Sequence, residues 1–165
     1  MSSFSPEEAP PSPSLSVPTA VDGGADFPVV GIGASAGGVE ALRRFFRHLP
    51  DEVGMAFVVV LHLSPDHESN LTEILQHETE LPVQAATDEC PLEPDHVYVI
   101  PPQHEMRVDE ATLRLSARSL DHRPDTIDAL LGSLAEDYQG QAIGIILSGT
   151  GADGTLGLRS VKTYG

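Results

Sequence analysis

The chain has 165 residues, of which 40% are hydrophobic, and its 25 acidic against 9 basic side chains give a formal charge of −16 at pH 7. Nucleic acid and anionic lipid are both bound through cationic surfaces, so this charge argues against either partner and is best explained by solubility. The longest uninterrupted apolar run covers residues 55–61, far fewer than the roughly 20 residues of a membrane-spanning helix.

Two further features indicate the cellular compartment. A single cysteine, Cys90, excludes an internal disulfide and fits a reducing environment. The first residues of the chain contain neither a basic side chain nor an apolar stretch, both of which a secretory signal needs. We therefore predict a cytoplasmic protein with no direct membrane insertion.

The first 26 residues differ from the rest in composition. They are rich in Pro, Ser, Ala and acidic side chains and show no hydrophobic periodicity. Such a segment buries too little apolar surface to offset the entropy that ordering it would cost. We predict a disordered leader over residues 1–26, followed by a single domain over residues 27–165.

From Phe27 onward, short apolar runs alternate with amphipathic segments. Apolar runs of this length are typical of buried parallel strands, and apolar residues three and four apart are typical of helices. Strand–helix alternation with buried strands predicts an α/β fold, with a doubly wound, mostly parallel sheet and helices on both faces. The predicted strands cover 27–32, 56–61, a short segment at Val83, 97–100, 106–108, 112–115 (the last two forming a hairpin) and 141–147, and the predicted helices cover 37–49, 70–79 with Ser69 as N-cap, 126–138 and 156–164.

The loop after the first predicted strand contains a candidate nucleophile. Residues 33–37, Gly-Ala-Ser-Ala-Gly, match the pattern G-x-S-x-G, which places a serine, here Ser35, on a tight strand-to-helix turn. The overlapping residues 31–36, Gly-Ile-Gly-Ala-Ser-Ala, also match G-x-G-x-x-A, a dinucleotide-binding fingerprint. A third interpretation is purely structural, because small residues let a helix pack closely on the sheet. The motif alone does not decide between them.

The second predicted strand leads directly into His62. A nucleotide-binding unit would have an acidic residue here to hold the ribose, whereas a histidine beside a candidate serine suits a general base. Histidine is also the commonest metal ligand, but the spacing of His62, Asp66, His67 and His77 matches no zinc template. We therefore predict no metal at this position.

The strand predicted over residues 141–147 is followed by a glycine-rich loop that ends in Asp153-Gly154. Asp153 could hold a histidine tautomer and stabilise its imidazolium form, as in Ser-His-Asp triads. It could equally be the N-cap of the helix that begins near Thr155, and the two roles are compatible. Because the carboxyl ends of parallel strands meet at one edge of the sheet, Ser35, His62 and Asp153 predict a catalytic triad. Their order along the chain excludes the α/β-hydrolase fold, in which the acid precedes the histidine.

These segments together resemble the catalytic domain of CheB-type protein-glutamate methylesterases over residues 28–165. The resemblance implies hydrolysis of glutamate γ-methyl esters on chemoreceptor cytoplasmic helices, with glutamine deamidation as a related activity, and it requires no cofactor. It implies that Ser35 is the nucleophile, His62 the general base and Asp153 the partner of the histidine. Backbone amides near Ala36 and Thr150 correspond to the oxyanion hole. The resembling segments are 29–38, the strand ending in His62, 97–102, 122–124 and 146–154.

The chain departs from this family in two respects. Stand-alone members carry an N-terminal receiver domain, so this chain more resembles the methylesterase segment of hybrid sensor proteins with methyltransferase and PAS-like modules. Its expected partners are a methylated chemoreceptor cytoplasmic domain and such modules. The family also continues past residue 165 with a strand and a helix, which we expect to be missing here. A nucleotide-binding module and a non-catalytic regulatory domain on the same fold stay open as alternatives.

Overall fold

The computed structural model describes residues 26–62, 70–118, 125–148 and 153–165. The predicted leader lies outside these residues except for Asp26, and so does Ser69, the predicted N-cap. Within the described ranges, no helix is long and apolar enough to cross a membrane. These ranges form eight strands and four α-helices: β1 Val29–Ser35, β2 Ala56–His62, β3 Val83–Ala85, β4 Cys90–Pro91, β5 Val97–Val99, β6 His104–Asp109, β7 Thr112–Ala117, β8 Ala142–Ser148, α1 Val39–Arg47, α2 Leu71–Gln76, α3 Thr126–Tyr138 and α4 Thr155–Tyr164.

Five of the strands form a parallel sheet in the order β3-β5-β2-β1-β8. The chain passes from β1 to β2 on one side and later returns to β8 on the other side of β1. This reversal of strand order makes the carboxyl end of β1 a topological switch point, where sheets of this type bind ligands. The predicted parallel α/β sheet is confirmed.

The two faces of the sheet are covered by different helices, as predicted. Alternate residues of β1 and β2 face opposite sides because side chains alternate along a strand. On one face, Val30 and Ile32 belong to a buried cluster with residues of α1 and α2. On the other face, Val29 and Val58 belong to a cluster with residues of α3, and Leu158 and Val161 of α4 pack against it.

A small antiparallel sheet, in the order β4-β7-β6, packs on α3. Its β6–β7 hairpin was predicted, whereas the two-residue strand β4 was not, because two residues carry no periodicity. The hairpin turn is held by α3, since the Asp137 carboxylate accepts hydrogen bonds from the N–H groups of Glu110 at 3.0 Å and Ala111 at 2.9 Å. Both turn residues have positive φ, 47° and 56°, which costs energy in residues other than glycine. The two hydrogen bonds that Asp137 accepts offset this cost.

The second helix is shorter than predicted. It begins after Asn70, which takes the N-cap position expected for Ser69, and it ends at Gln76 instead of Thr79. The Gln76 side chain explains this end: its amide donates to the carbonyls of Thr79 and Leu81, and its carbonyl accepts from the N–H of Val83, all within 3.1 Å. These bonds satisfy the backbone of the turn that leads into β3.

Candidate active site

Ser35 and His62 are the last residues of two neighbouring parallel strands. Ser35 ends β1, His62 ends β2, and the two are register partners across the strand pair. Neighbouring strands lie about 4.8 Å apart. The fold therefore brings the candidate nucleophile and the candidate general base side by side at the switch point, although they are 27 positions apart in the sequence (62 − 35).

The backbone at Ser35 is extended and unstrained, with φ −91° and ψ 175°. It is followed by a single 3₁₀ turn, Ala36–Gly38, which leads into α1. The sharp strand-to-helix turn that G-x-S-x-G suggests is thus made after the serine, by this 3₁₀ turn. Ala36, a predicted oxyanion-hole residue, begins the turn directly after Ser35, whereas Thr150, the other one, lies outside the described residues.

The glycines before Ser35 have a packing role that involves a distant helix. A Cβ atom at Gly31 would lie 2.6 Å from Leu131 Cδ2, and one at Gly33 would lie 2.9 Å from Ile127 Cδ1. Both contacts are with α3. At Gly37, by contrast, a Cβ atom would meet nothing within 4 Å. The structural interpretation of the motif therefore holds for Gly31 and Gly33. The helix that packs closely against them is α3, however, and not α1, which follows the motif.

Asp153 lies at the start of α4 and binds the first turn of α3. Its carboxylate accepts hydrogen bonds from the N–H of Ile127 at 3.2 Å and from the N–H of Asp128 at 2.9 Å. The expectation that Asp153 caps its own helix is wrong: the N-cap of α4 is Gly154, with φ 95° and no side-chain cap bond. Asp153 instead caps α3, because the carboxyl edge of the sheet brings the two helix starts together.

The contacts of Ile127 connect Asp153 to the end of β1. The side chain of Ile127 covers Gly33, two residues before Ser35, while its backbone N–H binds Asp153. A carboxylate offers about four acceptor positions. Two backbone donors of α3 thus fix the orientation of the Asp153 carboxylate, and a histidine N–H is a donor that a carboxylate can also accept.

The starts of α3 and α4 also bring three carboxylates together. Within the described ranges, the carboxylates of Asp125, Asp128 and Asp153 come within 4.8 Å of one another. Asp128 and Asp153 each accept backbone N–H bonds, so capping of the helices accounts for this cluster.

Beside the site, two arginines of α1 bind one glutamate. Arg43 and Arg47 each contact the Glu78 carboxylate at 2.6 Å. Hydrogen bonds from Arg47 and then Arg43 hold the pKa of Glu78 below its usual value, and the pKa of Arg43 is raised in return. The network borders a groove of about 480 Å³ that includes Gly37, Val39 and Ile74. Hydrophobic spacing could not reveal it, because Glu78 lies beyond the end of α2.

Comparison with known proteins gives three consistent similarities. The family model for CheB methylesterase matches residues 30–165. The chain is 30% identical over 142 residues to the protein-glutamate methylesterase/protein-glutamine glutaminase of Treponema denticola, covering 83% of this chain and 38% of that protein. It is 33% identical over 146 residues to a Pseudomonas aeruginosa protein of the same name, covering 87% of this chain and 43% of the relative.

A solved structure supports the same relationship. The crystal structure of the Thermotoga maritima CheB methylesterase catalytic domain superposes with a TM-score of 0.74 at 31% identity, covering 86% of this chain and 77% of that one. The chain spans about two fifths of the length of the T. denticola and P. aeruginosa relatives.

Proposed function

Since this chain belongs to the CheB methylesterase family, we propose that it is a serine hydrolase that demethylates glutamate γ-methyl esters on chemoreceptor cytoplasmic helices. Deamidation of glutamine is a related activity of the same site, and both activities appear in the names of the relatives. The observation that carries the proposal is the register pairing of Ser35 with His62 at the switch point of the sheet.

The proposed reaction is acyl transfer through a triad. His62 removes the hydroxyl proton as Ser35 Oγ attacks the ester carbonyl, and the resulting oxyanion is bound by backbone N–H groups near Ala36 and Thr150. Losing one such donor costs about 3–4 kcal/mol of transition-state stabilisation in related enzymes. The protonated His62 then gives its proton to the departing methanol. Water activated by His62 cleaves the acyl-enzyme, which releases the glutamate carboxylate and restores Ser35.

Two features of the fold support these roles. In β1, Cβ atoms at Gly31 and Gly33 would contact residues of α3, and the two-residue repeat of a strand places Ser35 on that same face of the sheet. Asp153 binds the first turn of α3 on this face as well. A carboxylate held there is suited to orient the imidazole of His62 and to stabilise its protonated form.

The proposed setting follows from the substrate. Chemoreceptor methylation sites lie on the cytoplasmic side of the membrane, so we place the enzyme in the cytoplasm with the methylated receptor domain as its partner. Methyltransferase or PAS-like modules of a larger hybrid sensor protein are further proposed partners.

The proposal is tested by labelling the protein with a fluorophosphonate probe and mapping the modified residue, alongside an assay of methanol release from methylated receptor. We expect the label on Ser35, and we expect Ser35→Ala to abolish both labelling and methanol release. Ser116→Ala, at an exposed position of β7, is the matched control and should change neither. Undiminished methanol release from Ser35→Ala would remove the nucleophile assignment, and labelling only at other serines would argue against a triad at this edge.

A further inference from the structure

The starts of α3 and α4 are each capped from the other helix. The N-cap residues, Asp125 of α3 and Gly154 of α4, make no side-chain cap bond to their own helices. A helix leaves its first four N–H groups without intrahelical partners. In this pair, an acceptor for the first turn of each helix comes from a residue of the other helix or from the residue just before its N-cap.

The exchange runs through two aspartates. The carboxylate of Asp153 accepts the N–H of Asp128 at 2.9 Å, in the first turn of α3. The carboxylate of Asp128 accepts the N–H of Gly157 at 2.6 Å, in the first turn of α4. The backbone N–H of Asp128 therefore donates to Asp153. The side chain of Asp128 binds the first turn of α4, the helix that follows Asp153.

Close packing makes this exchange possible. A Cβ atom at Gly157 would lie 2.5 Å from Leu131 Cβ and 3.2 Å from Asp128 Cα. The two helices therefore touch at Gly157, and the short side chain of Asp128 can reach the N–H of that residue. Because Asp153 immediately precedes Gly154, the N-cap of α4, an anchor on the first turn of α4 also anchors Asp153.

We propose that Asp128 is a positioning residue for the triad carboxylate of Asp153, an inference that rests on the proposed function. Asp128 would act through Asp153 and not on the substrate itself. Its side chain fixes the start of α4 against α3 and so fixes the carboxylate that orients His62. Misplacing a catalytic group by about 1 Å can cost on the order of 10²-fold in rate, so a loosened Asp153 should lower turnover without altering the binding of substrate.

The test compares Asp128 variants in steady-state methanol release, measured well below the melting temperature of each variant. Asp128→Ala removes the acceptor for Gly157, and we expect kcat to fall by about 10- to 100-fold with KM unchanged. Asp128→Asn keeps an acceptor oxygen and should return kcat to within about threefold of the parent chain. This rescue separates positioning from a general loss of stability, which would lower the melting temperature but leave kcat intact.

Two further variants separate hydrogen-bond geometry from charge. Asp125→Ala removes a neighbouring carboxylate that makes no cap bond to α3, and it should leave kcat unchanged. Asp128→Glu keeps the charge but displaces the carboxylate by one methylene, so kcat should fall; this variant also serves if Asp128→Ala does not fold. A parental kcat in both Asp128→Ala and Asp128→Glu would overturn the proposal. Equal losses in Asp128→Ala, Asp128→Asn and Asp125→Ala would overturn it in favour of a charge effect.

Failure of the positioning role and failure of the proposed function give different results. If the parent chain releases no methanol and Ser35 is not labelled, the proposed function fails. If the parent chain is active and Ser35→Ala is not, the Asp128 series alone decides the positioning role.

Discussion

Gly33 lies directly under Ile127, so that a Cβ atom at position 33 would lie 2.9 Å from Ile127 Cδ1. The same isoleucine donates its backbone N–H to Asp153 at 3.2 Å. The absence of a side chain two residues before Ser35 therefore lets the first turn of α3 approach the end of β1. Because Asp153 is bound to that turn, this close approach also brings Asp153 towards the proposed nucleophile.

We predict that Gly33→Ala destabilises the protein by about 1–3 kcal/mol, because the added methyl group must displace Ile127 and the start of α3. Gly37→Ala lies in the same motif, where a Cβ atom meets nothing within 4 Å, and it should change the free energy of unfolding by much less. Urea unfolding of the two variants measures the difference. Equal stability of both would show that α3 shifts at no cost and that the glycine contact is unimportant.

Asp153→Asn should separate the two roles of Asp153. The amide oxygen can still accept an N–H bond from α3, so the loss of stability should stay below the roughly 1 kcal/mol typical of losing a cap. Turnover should nevertheless fall by on the order of 10³- to 10⁴-fold, because an amide stabilises neither the required tautomer nor the charge of the histidine. Chemical unfolding and methanol release measure the two effects.

Asp137 offers a matched control for this prediction, since it too accepts two backbone N–H bonds, at the other end of α3. We expect Asp137→Asn to match Asp153→Asn in stability and to retain parental turnover. Similar losses of activity in both variants would reduce Asp153 to a structural cap.

The ion pairs of Glu78 should make part of the stability depend on acid pH. The pKa of Glu78 is lowered, first by the hydrogen bond from Arg47 and then by that from Arg43. A carboxylate with a depressed pKa contributes stability above the pKa of its unfolded state, about 4.3, and this contribution is lost as pH falls through the folded-state pKa. We expect Glu78→Gln to be less stable than the parent near pH 7 and the gap to narrow below about pH 4.

Thermal unfolding across this pH range measures the effect. Glu73→Gln, at an exposed glutamate of α2, should show no comparable narrowing. A Glu78→Gln gap that stays constant from neutral to acid pH would mean that packing, and not the charge of the carboxylate, causes the loss.

Tyr138→Phe should stabilise the protein by about 1 kcal/mol. Tyr138 is 4% exposed, and its hydroxyl is the buried side-chain polar atom that lacks a hydrogen-bond partner among the described residues. Burial also raises the pKa of this hydroxyl far above its ordinary range. Removing an unsatisfied buried hydroxyl removes its desolvation penalty. Urea unfolding should therefore show a higher midpoint with an unchanged slope.

Tyr98→Phe is the matched comparison in the same cluster. Its hydroxyl accepts from the N–H of Glu93 at 3.0 Å and donates to the carbonyl of Pro91 at 3.3 Å. Losing both bonds should destabilise the protein by about 1 kcal/mol. Destabilisation by both substitutions would indicate that the Tyr138 hydroxyl has a partner, such as a bound water.

The amino-acid sequence by itself determined the layers of this fold and the approximate positions of its main strands. Buried apolar runs and helical spacing are local signals, and they predicted a parallel sheet, helices on both faces and α3 at Thr126–Tyr138 with its observed bounds. The same signals put His62 directly after the second predicted strand and Ser35 in the loop after the first, whereas the observed β1 extends to Ser35. Parallel pairing then makes these two residues neighbours, because the carboxyl ends of such strands share one edge.

Only the tertiary structure decided which distant groups meet. The partners of Gly33 and Asp153 lie on α3, and those of Arg43 and Arg47 lie beyond α2. For Gly33 and Asp153 the sequence offered an explanation by near neighbours in the chain: a tight turn and a cap for the following helix. Hydrophobic periodicity reports how much of an element is buried but not which neighbour covers it. The close approach of α3 to β1 and α4 arises only when the whole chain packs, and it replaced those local explanations.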